Sequence, residues 1–209
     1  MRLLVVTAVA EEREAITAQT SEVEVLVGGV GPAAAAASAS GALAARSYDL
    51  VLSAGIGGGF APLELGAIAV AATIVFADLG AQTPDGFRSA SALGFGTERY
   101  VVAPRLALEL ADCTGGHLGS ILTVATVTGT QERSDVLQRR HHDAVAEAME
   151  GAGVAAAAVL HGVPFAEIRA ISNLVGPRDR AAWRIPEALT ALGHAVGAIG
   201  AVAAGEWSS

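Results

Sequence analysis

The sequence predicts an α/β fold: a three-layer α/β/α sandwich with a central mixed, largely parallel sheet. Three observations point there. Short apolar runs recur along the chain, and several are continuous instead of alternating, as strands covered on both faces are. Helical patterns separate them, the rhythm of β-α-β units. Glycine clusters follow two of the runs, where an α/β sheet presents the carboxyl ends of its strands.

The chain opens on residues 2–9 (RLLVVTAV), a strand, and a helical pattern over 11–19 begins at once with Glu11 and Glu12. Residues 23–27 (VEVLV) form the second strand. "VGGVGPAAAAA" then turns the chain into a helix over 32–46, with Pro32 in its first turn and alanine, the best helix former, behind it. The third strand, 50–54 (LVLSA), runs into "GIGGGFAP", and the fourth spans 67–77 (AIAVAATIVFA). The polar, glycine-bearing stretch 79–100 is too long for a plain connection and has the character of a binding loop or lid. A helix over 103–112, a strand at 121–127 (ILTVATV), a long helix over 136–161, a strand at 166–171 (AEIRAI) and a helix over 183–204 complete the order. No linker divides the chain, so one domain over 1–209 is expected.

Composition narrows the function. Hydrophobic residues make up 52% of the 209 residues and charged residues 16%, enough for a large core. The mean hydropathy of +0.49 comes largely from alanine. The most apolar stretch, "ALTALGHAVGAIGAVAAG", carries His194 and reads as a buried helix, so no membrane partner is expected. A formal charge of −8 argues against a nucleic-acid partner. Arg139-Arg140-His141-His142, the one basic cluster, reads as a solvated helix face, and no metal-binding cluster is evident. The single Cys113 excludes an internal disulfide and fits a reducing cytoplasm.

Candidate site residues sit at the strand ends. Glu11 and Glu12 open a helix, where its dipole favours carboxylates; the same place suits a general base acting on water. Free amides in the Gly28–Gly31 turn can hold an anion or a ribose hydroxyl. The motif is neither GxGxxG nor GxxxxGK[ST], so no dinucleotide fold or P-loop is supported. Gly55, Gly57, Gly58 and Gly59 exceed what a turn needs and let a ligand lie on the backbone. Met149 and Glu150 fall in the apolar first half of an expected helix, where the carboxylate needs a partner: a structural cation or a ligand with vicinal hydroxyls. Asn173 ends the last strand. Asparagine is common in turns, yet its amide also offers the donor and acceptor that match the N7 and O6 edge of a 6-oxopurine.

Taken in order, "VVTAVAEEREAI", "GGVGPAAAAA", "VLSAGIGGGF", "EAMEGAGVA" and "VPFAEIRAISNLVG" resemble the purine nucleoside phosphorylase / methylthioadenosine nucleosidase superfamily over positions 5 to 176. Within it, "ADLGAQTPDGF", "TVATVTGT" and "ISNLVGPRDRAAWRIPEAL" are most similar to the futalosine hydrolase family. The resemblance implies cleavage of an N-glycosidic bond by water, releasing hypoxanthine, without metal or organic cofactor. It implies that Glu12 activates water, that Met149 and Glu150 bind ribose, and that Gly57 and Gly58 line the nucleoside site.

Asn173 departs from the adenine-specific nucleosidases, which carry an aspartate there, and suits hypoxanthine better. A second departure lies at "TGTQER", where the nucleosidases place a stacking phenylalanine; Phe87, Phe95 and Trp183 are the aromatic candidates elsewhere. The carboxylate of the substrate's carboxyphenyl group should meet an arginine or lysine, or a helix start; Arg88, Arg178 and Arg180 are candidates. The superfamily also implies a homo-oligomer. A purine nucleoside phosphorylase and a methylthioadenosine/S-adenosylhomocysteine nucleosidase are the alternative enzymes; a non-catalytic nucleoside-binding module is the alternative from another class.

Overall fold

Leu3 to Thr7 are all buried, and the physical reason is visible in which layer each side chain enters. Leu4 and Val6 pack with Ala35, Ala39, Leu43, Val154 and Ala158, while Leu3 and Val5 pack with Ile16, Leu192, Val196 and Ile199. Successive side chains of a strand point to opposite faces, so an unbroken apolar run requires cover on both. The computed structural model supplies it, with helices on either side of the sheet. It describes residues 1–205; positions 206–209 of the expected domain lie outside the described residues.

In chain order the elements are β1 (Leu3–Thr7), α1 (Ala10–Thr17), β2 (Glu24–Val27), α2 (Pro32–Ala45), β3 (Leu50–Gly59) and β4 (Ile68–Phe76). Then come β5 (Gly80–Thr83), β6 (Gly86–Ser89), β7 (Arg99–Val101), α3 (Pro104–Thr114), β8 (His117–Thr123) and α4 (Gln131–Arg140). β9 (Ala144–Ala148), α5 (Gly151–His161), β10 (Phe165–Leu174) and α6 (Ile185–Gly205) complete the fold. The sheet order is β10-β4-β8-β9-β3-β1-β2, with β7 on the edge of β4. Because β10 also pairs with β3 along Phe165–Leu174, strands β3, β10, β4, β8 and β9 close into a ring. Pairings β1–β2, β1–β3, β3–β10, β4–β8 and β8–β9 are parallel; β4–β10, β3–β9 and β4–β7 are antiparallel. The sheet is therefore mixed and mostly parallel. Helices α2 and α5 pack together on one face, and α1, α3 and α6 on the other.

By length and composition α6 is a helix that could cross a membrane, with a mean hydropathy of 1.4 over Ile185–Ala204. Its stripe of Ala188, Leu192, Ala195, Val196, Ile199 and Ala203 is buried against the protein interior.

Four expectations need correction. The helix read over 136–161 is two helices with β9 between them. Alanine, glutamate and methionine favour helix, but β9 finds partners on both sides, β8 and β3, and tertiary pairing overrides propensity. The third strand, read as ending at residue 54, runs on through the glycines to Gly59 and pairs with β10 and β9. Residues 79–100, read as an irregular binding loop or lid, hold the β5–β6 hairpin and the start of β7. The basic cluster is also only partly solvated. Arg140 folds inward, its guanidinium 4.3 Å from the Phe87 ring centre and its Nη2 donating to the Ala77 carbonyl at 3.1 Å.

Candidate active site

The carboxyl ends of β1, β3 and β10, together with the start of α5, converge on a cleft of about 450 Å3. Glu12, Gly57, Gly58, Met149, Glu150, Asn173 and Arg178 all line it, although they lie up to 166 positions apart in sequence.

Glu12 reaches it from the first turn of α1 and is 3% exposed. Its Oε2 accepts from the amides of Ala8 at 2.8 Å and Val9 at 3.3 Å, so it closes the open N-terminus of its own helix. Its Oε1 accepts from the amide of Ile56 at 2.9 Å, which ties α1 to β3. The dipole-favoured carboxylate and the cleft carboxylate are thus one group. Glu11, its neighbour, points outward.

Glu150 is the N-cap residue of α5 and not a mid-helix residue. Its Oε1 accepts from the amide of Gly31 at 3.1 Å, and its Oε2 from that of Met149 at 3.3 Å. The Gly28–Gly31 turn therefore spends an amide on a protein carboxylate instead of an outside anion. The partner that Glu150 needs is Arg169, whose Nη1 lies 3.3 Å from Oε2.

Arg169, inside the expected 166–171 strand, is given no role by the sequence reading. It is 1% exposed. Burial works against its charge, but Glu167, Glu150 and Glu12 outweigh that and raise its pKa above the ordinary arginine value. Glu167 is fully buried, and burial, opposed by Arg169, pushes its carboxyl up to about 7. The usable signal was the i, i+2 spacing of Glu167 and Arg169, which places an acid and a base on one face of a buried strand. Gly55 makes the cluster possible: a Cβ there would collide with both Arg169 Nη1 and Glu12 Oε1.

Asn173 follows a bulge in the β10–β3 register and lies opposite Gly58. A Cβ on Gly58 would press on Val175 Cγ2 at 2.8 Å and on Asn173 Nδ2 at 3.3 Å, so the glycine lets these two residues lie close against β3. Asn173 Nδ2 donates to the Leu174 carbonyl at 3.0 Å. Ser172 Oγ lies 2.9 Å from Asn173 Oδ1 and 3.2 Å from the Gly57 carbonyl, and its one proton serves either. The amide keeps a second Nδ2 proton and an Oδ1 lone pair for a ligand.

The opposite wall is Val127 and Thr128. Glu147, also in the cleft lining, holds that wall by accepting from the Thr128 amide at 2.8 Å and its hydroxyl at 2.5 Å. Burial raises the Glu147 carboxyl, with the Thr128 bonds opposing. No signal in the sequence marked this pair. Of the aromatic candidates, only Trp183 lines the cleft, at the rim, with the Arg178 guanidinium 5.4 Å and that of Arg180 5.7 Å from its ring centre. Phe87 sits under Arg140, and Phe95 is 63% exposed elsewhere. Arg178 lines the cleft; Arg180 does not. Arg88 is outside it, on the β5–β6 hairpin, with Nη2 donating to the Ala92 carbonyl at 2.8 Å.

The arrangement can do a definite kind of chemistry. A carboxylate poised over the cleft, a second carboxylate with spare acceptor sites and an amide beside the glycine-lined end of β3 suit a sugar joined to a flat, polar-edged base. Among the described residues, no three His, Cys, Asp or Glu side chains are grouped to hold a metal ion.

Comparison with known proteins agrees with that chemistry. A family model described as the phosphorylase superfamily matches residues 6–204. Futalosine hydrolase of Streptomyces coelicolor is 51% identical, aligned over 97% of this chain and 96% of its own length. Futalosine hydrolase of Acidothermus cellulolyticus is 43% identical, over 96% of this chain and 91% of its own. Among solved structures, the native futalosine hydrolase of Helicobacter pylori superposes with a TM-score of 0.81 at 18% identity, covering 95% of this chain and 97% of that one. That last likeness speaks to the fold alone.

Proposed function

We infer the function from a premise that the family match makes plain: the chain belongs to the phosphorylase superfamily. Within it, the chain hydrolyses the N-glycosidic bond of futalosine to hypoxanthine and dehypoxanthine futalosine, a step of menaquinone biosynthesis by the futalosine route. The 51% identity to a futalosine hydrolase across nearly the whole chain supports the substrate. The carrying observation for the mechanism is that Glu12, Glu150 and Asn173 line one cleft.

The reaction proceeds by a dissociative path in which the ribosyl ring gains oxocarbenium character. Glu150 accepts hydrogen bonds from the 2′ and 3′ hydroxyls. Glu12, held by three backbone amides, takes a proton from water as the water attacks the anomeric carbon. The two carboxylates also favour the positive charge that develops on the sugar. Asn173 Nδ2 donates to O6 and stabilises the negative charge arriving on the leaving base; N7 takes its proton from solvent as the base departs, and Asn173 Oδ1 then accepts from N7–H. Gly57 and Gly58 give the nucleoside its floor, and Met149 and Val127 its apolar contacts. Arg178 meets the substrate carboxylate at the rim. A carboxylate in Glu12's position repels phosphate, which favours hydrolysis over phosphorolysis. The chain works as one domain in the cytoplasm and as a homo-oligomer, a state supported by the exposed apolar side chains Val30, Val127 and Leu174 around the cleft.

Product analysis tests this reading. Incubation with futalosine, inosine and methylthioadenosine, with and without phosphate, should give free hypoxanthine from futalosine alone, independent of phosphate. Hypoxanthine from inosine only with phosphate present would make the chain a phosphorylase instead.

A further inference from the structure

Glu167 is an expensive residue in its place. It is fully buried on β10, it does not line the cleft, and its Oε2 has no hydrogen-bond partner. Apolar side chains replace buried ion pairs without loss of stability in many proteins, so stability alone is a poor reason to keep it. Its surroundings suggest another reason. Its Oε1 accepts from Arg169 Nε at 2.9 Å, and Arg169 Nη2 donates to Ser53 Oγ at 2.8 Å. The remaining nitrogen, Nη1, is the one that reaches Glu150. A guanidinium is a rigid planar fork, so fixing Nε and Nη2 fixes where Nη1 points. Glu167 is itself wedged against the first residue of α5, since a Cβ on Gly151 would overlap its carboxylate. Gly151 directly follows Glu150.

We propose that Glu167 is a positioning residue for sugar binding: it anchors one side of Arg169 so that the other side holds Glu150 in the orientation that grips the ribose hydroxyls. The proposal rests on the reading of Glu150 as the ribose carboxylate. The reach of the acceptor, more than its charge, is what matters. Glu167→Gln keeps an acceptor oxygen at the same distance from Nε, and its NH2 takes the place of the oxygen that has no partner. Glu167→Asp keeps the charge but withdraws it by one carbon-carbon bond, which draws the guanidinium away from Glu150.

The test compares kcat/KM for futalosine with that for its synthetic 2′-deoxy analogue in wild type, E167Q and E167D, all confirmed folded by thermal melts. The greater intrinsic lability of the deoxy sugar cancels between enzymes. The preference for the ribo form should fall at least about tenfold in E167D, as expected when a positioned group shifts by about 1 Å, and stay within about threefold of wild type in E167Q. Wild-type preference in folded E167D, or an equal loss in both variants, overturns the proposal. A wild type that cleaves futalosine yet shows no ribo preference refutes the role of Glu150, and the proposal falls with it; a wild-type preference that E167D keeps refutes the role of Glu167 alone. A crystal structure of E167D reads the geometry whatever the activity. Arg169 Nη1 should move out of ion-pair distance of Glu150, and an unchanged separation overturns the inference.

Discussion

Glu12→Gln is the sharpest perturbation of the chemistry. The side chain keeps its shape but cannot take a proton from water, so a general-base contribution of about 10²- to 10⁴-fold in kcat should disappear, equivalent to about 3–5 kcal/mol of barrier. The structure adds a second effect. Two amides converge on Oε2 and one on Oε1, so the glutamine oxygen will settle where two donors face it. Its NH2 then confronts the Ile56 amide, donor against donor. Losing one charge-assisted bond in a buried place costs about 1.5–3 kcal/mol, or about 3–10 °C in Tm for a domain of this length. The assay is hypoxanthine release from futalosine, run well below the variant's own Tm so that unfolding does not count as lost catalysis. KM should stay within about threefold of wild type, since Glu12 is assigned no contact with the sugar hydroxyls or base. A folded variant with kcat within about threefold of wild type would remove Glu12 from the mechanism.

Asn173→Asp should raise kcat/KM for methylthioadenosine relative to futalosine by at least about tenfold, because the base edge it prefers carries an amino group; an unchanged ratio, measured by chromatography of the released bases, refutes the base-edge role. Arg178→Ala should raise KM for futalosine about tenfold, while Arg180→Ala changes it less than about twofold, since only Arg178 lines the cleft; equal effects place the substrate carboxylate elsewhere. Glu167→Gln should alter the pH dependence of stability. A carboxyl raised from 4.5 to about 7 stabilises the fold below about pH 4.5, and that contribution is lost as pH rises through about 7. At about 1.4 kcal/mol per pH unit this is about 3–4 kcal/mol. E167Q has no such loss, so its Tm should gain on wild type between about pH 5 and about pH 8; a constant difference in thermal melts contradicts the sign.

The layers were legible because burial on both faces leaves an unmistakable run such as Leu3 to Val6, with every side chain apolar. β9 was not, because Ala-Val-Ala-Glu-Ala carries no strand preference of its own. Its conformation comes from Ser120, Ile121, Leu122 and Thr123 on one side and Gly58 and Gly59 on the other, all distant in sequence. The cleft was legible where strand ends advertise it, at Glu12, the glycines and Asn173. Glu150 was placed in the right region for a mistaken reason, as a helix residue instead of an N-cap. Arg169 and Glu147 stayed hidden because their importance lies in pairings with residues 19 positions away, Glu150 and Thr128, that only the fold brings into contact. A stacking aromatic was sought by residue type, and of the three candidates only Trp183 lines the cleft, together with the aliphatic Val127.

Initial rates of base release from futalosine and from methylthioadenosine, in phosphate-free buffer with the wild-type protein, test the account most directly. A cleft that reads an oxo-substituted base and activates water should show a kcat/KM for futalosine at least about 100-fold higher. Equal or faster release of adenine from methylthioadenosine, or no release of hypoxanthine until phosphate is added, would contradict it.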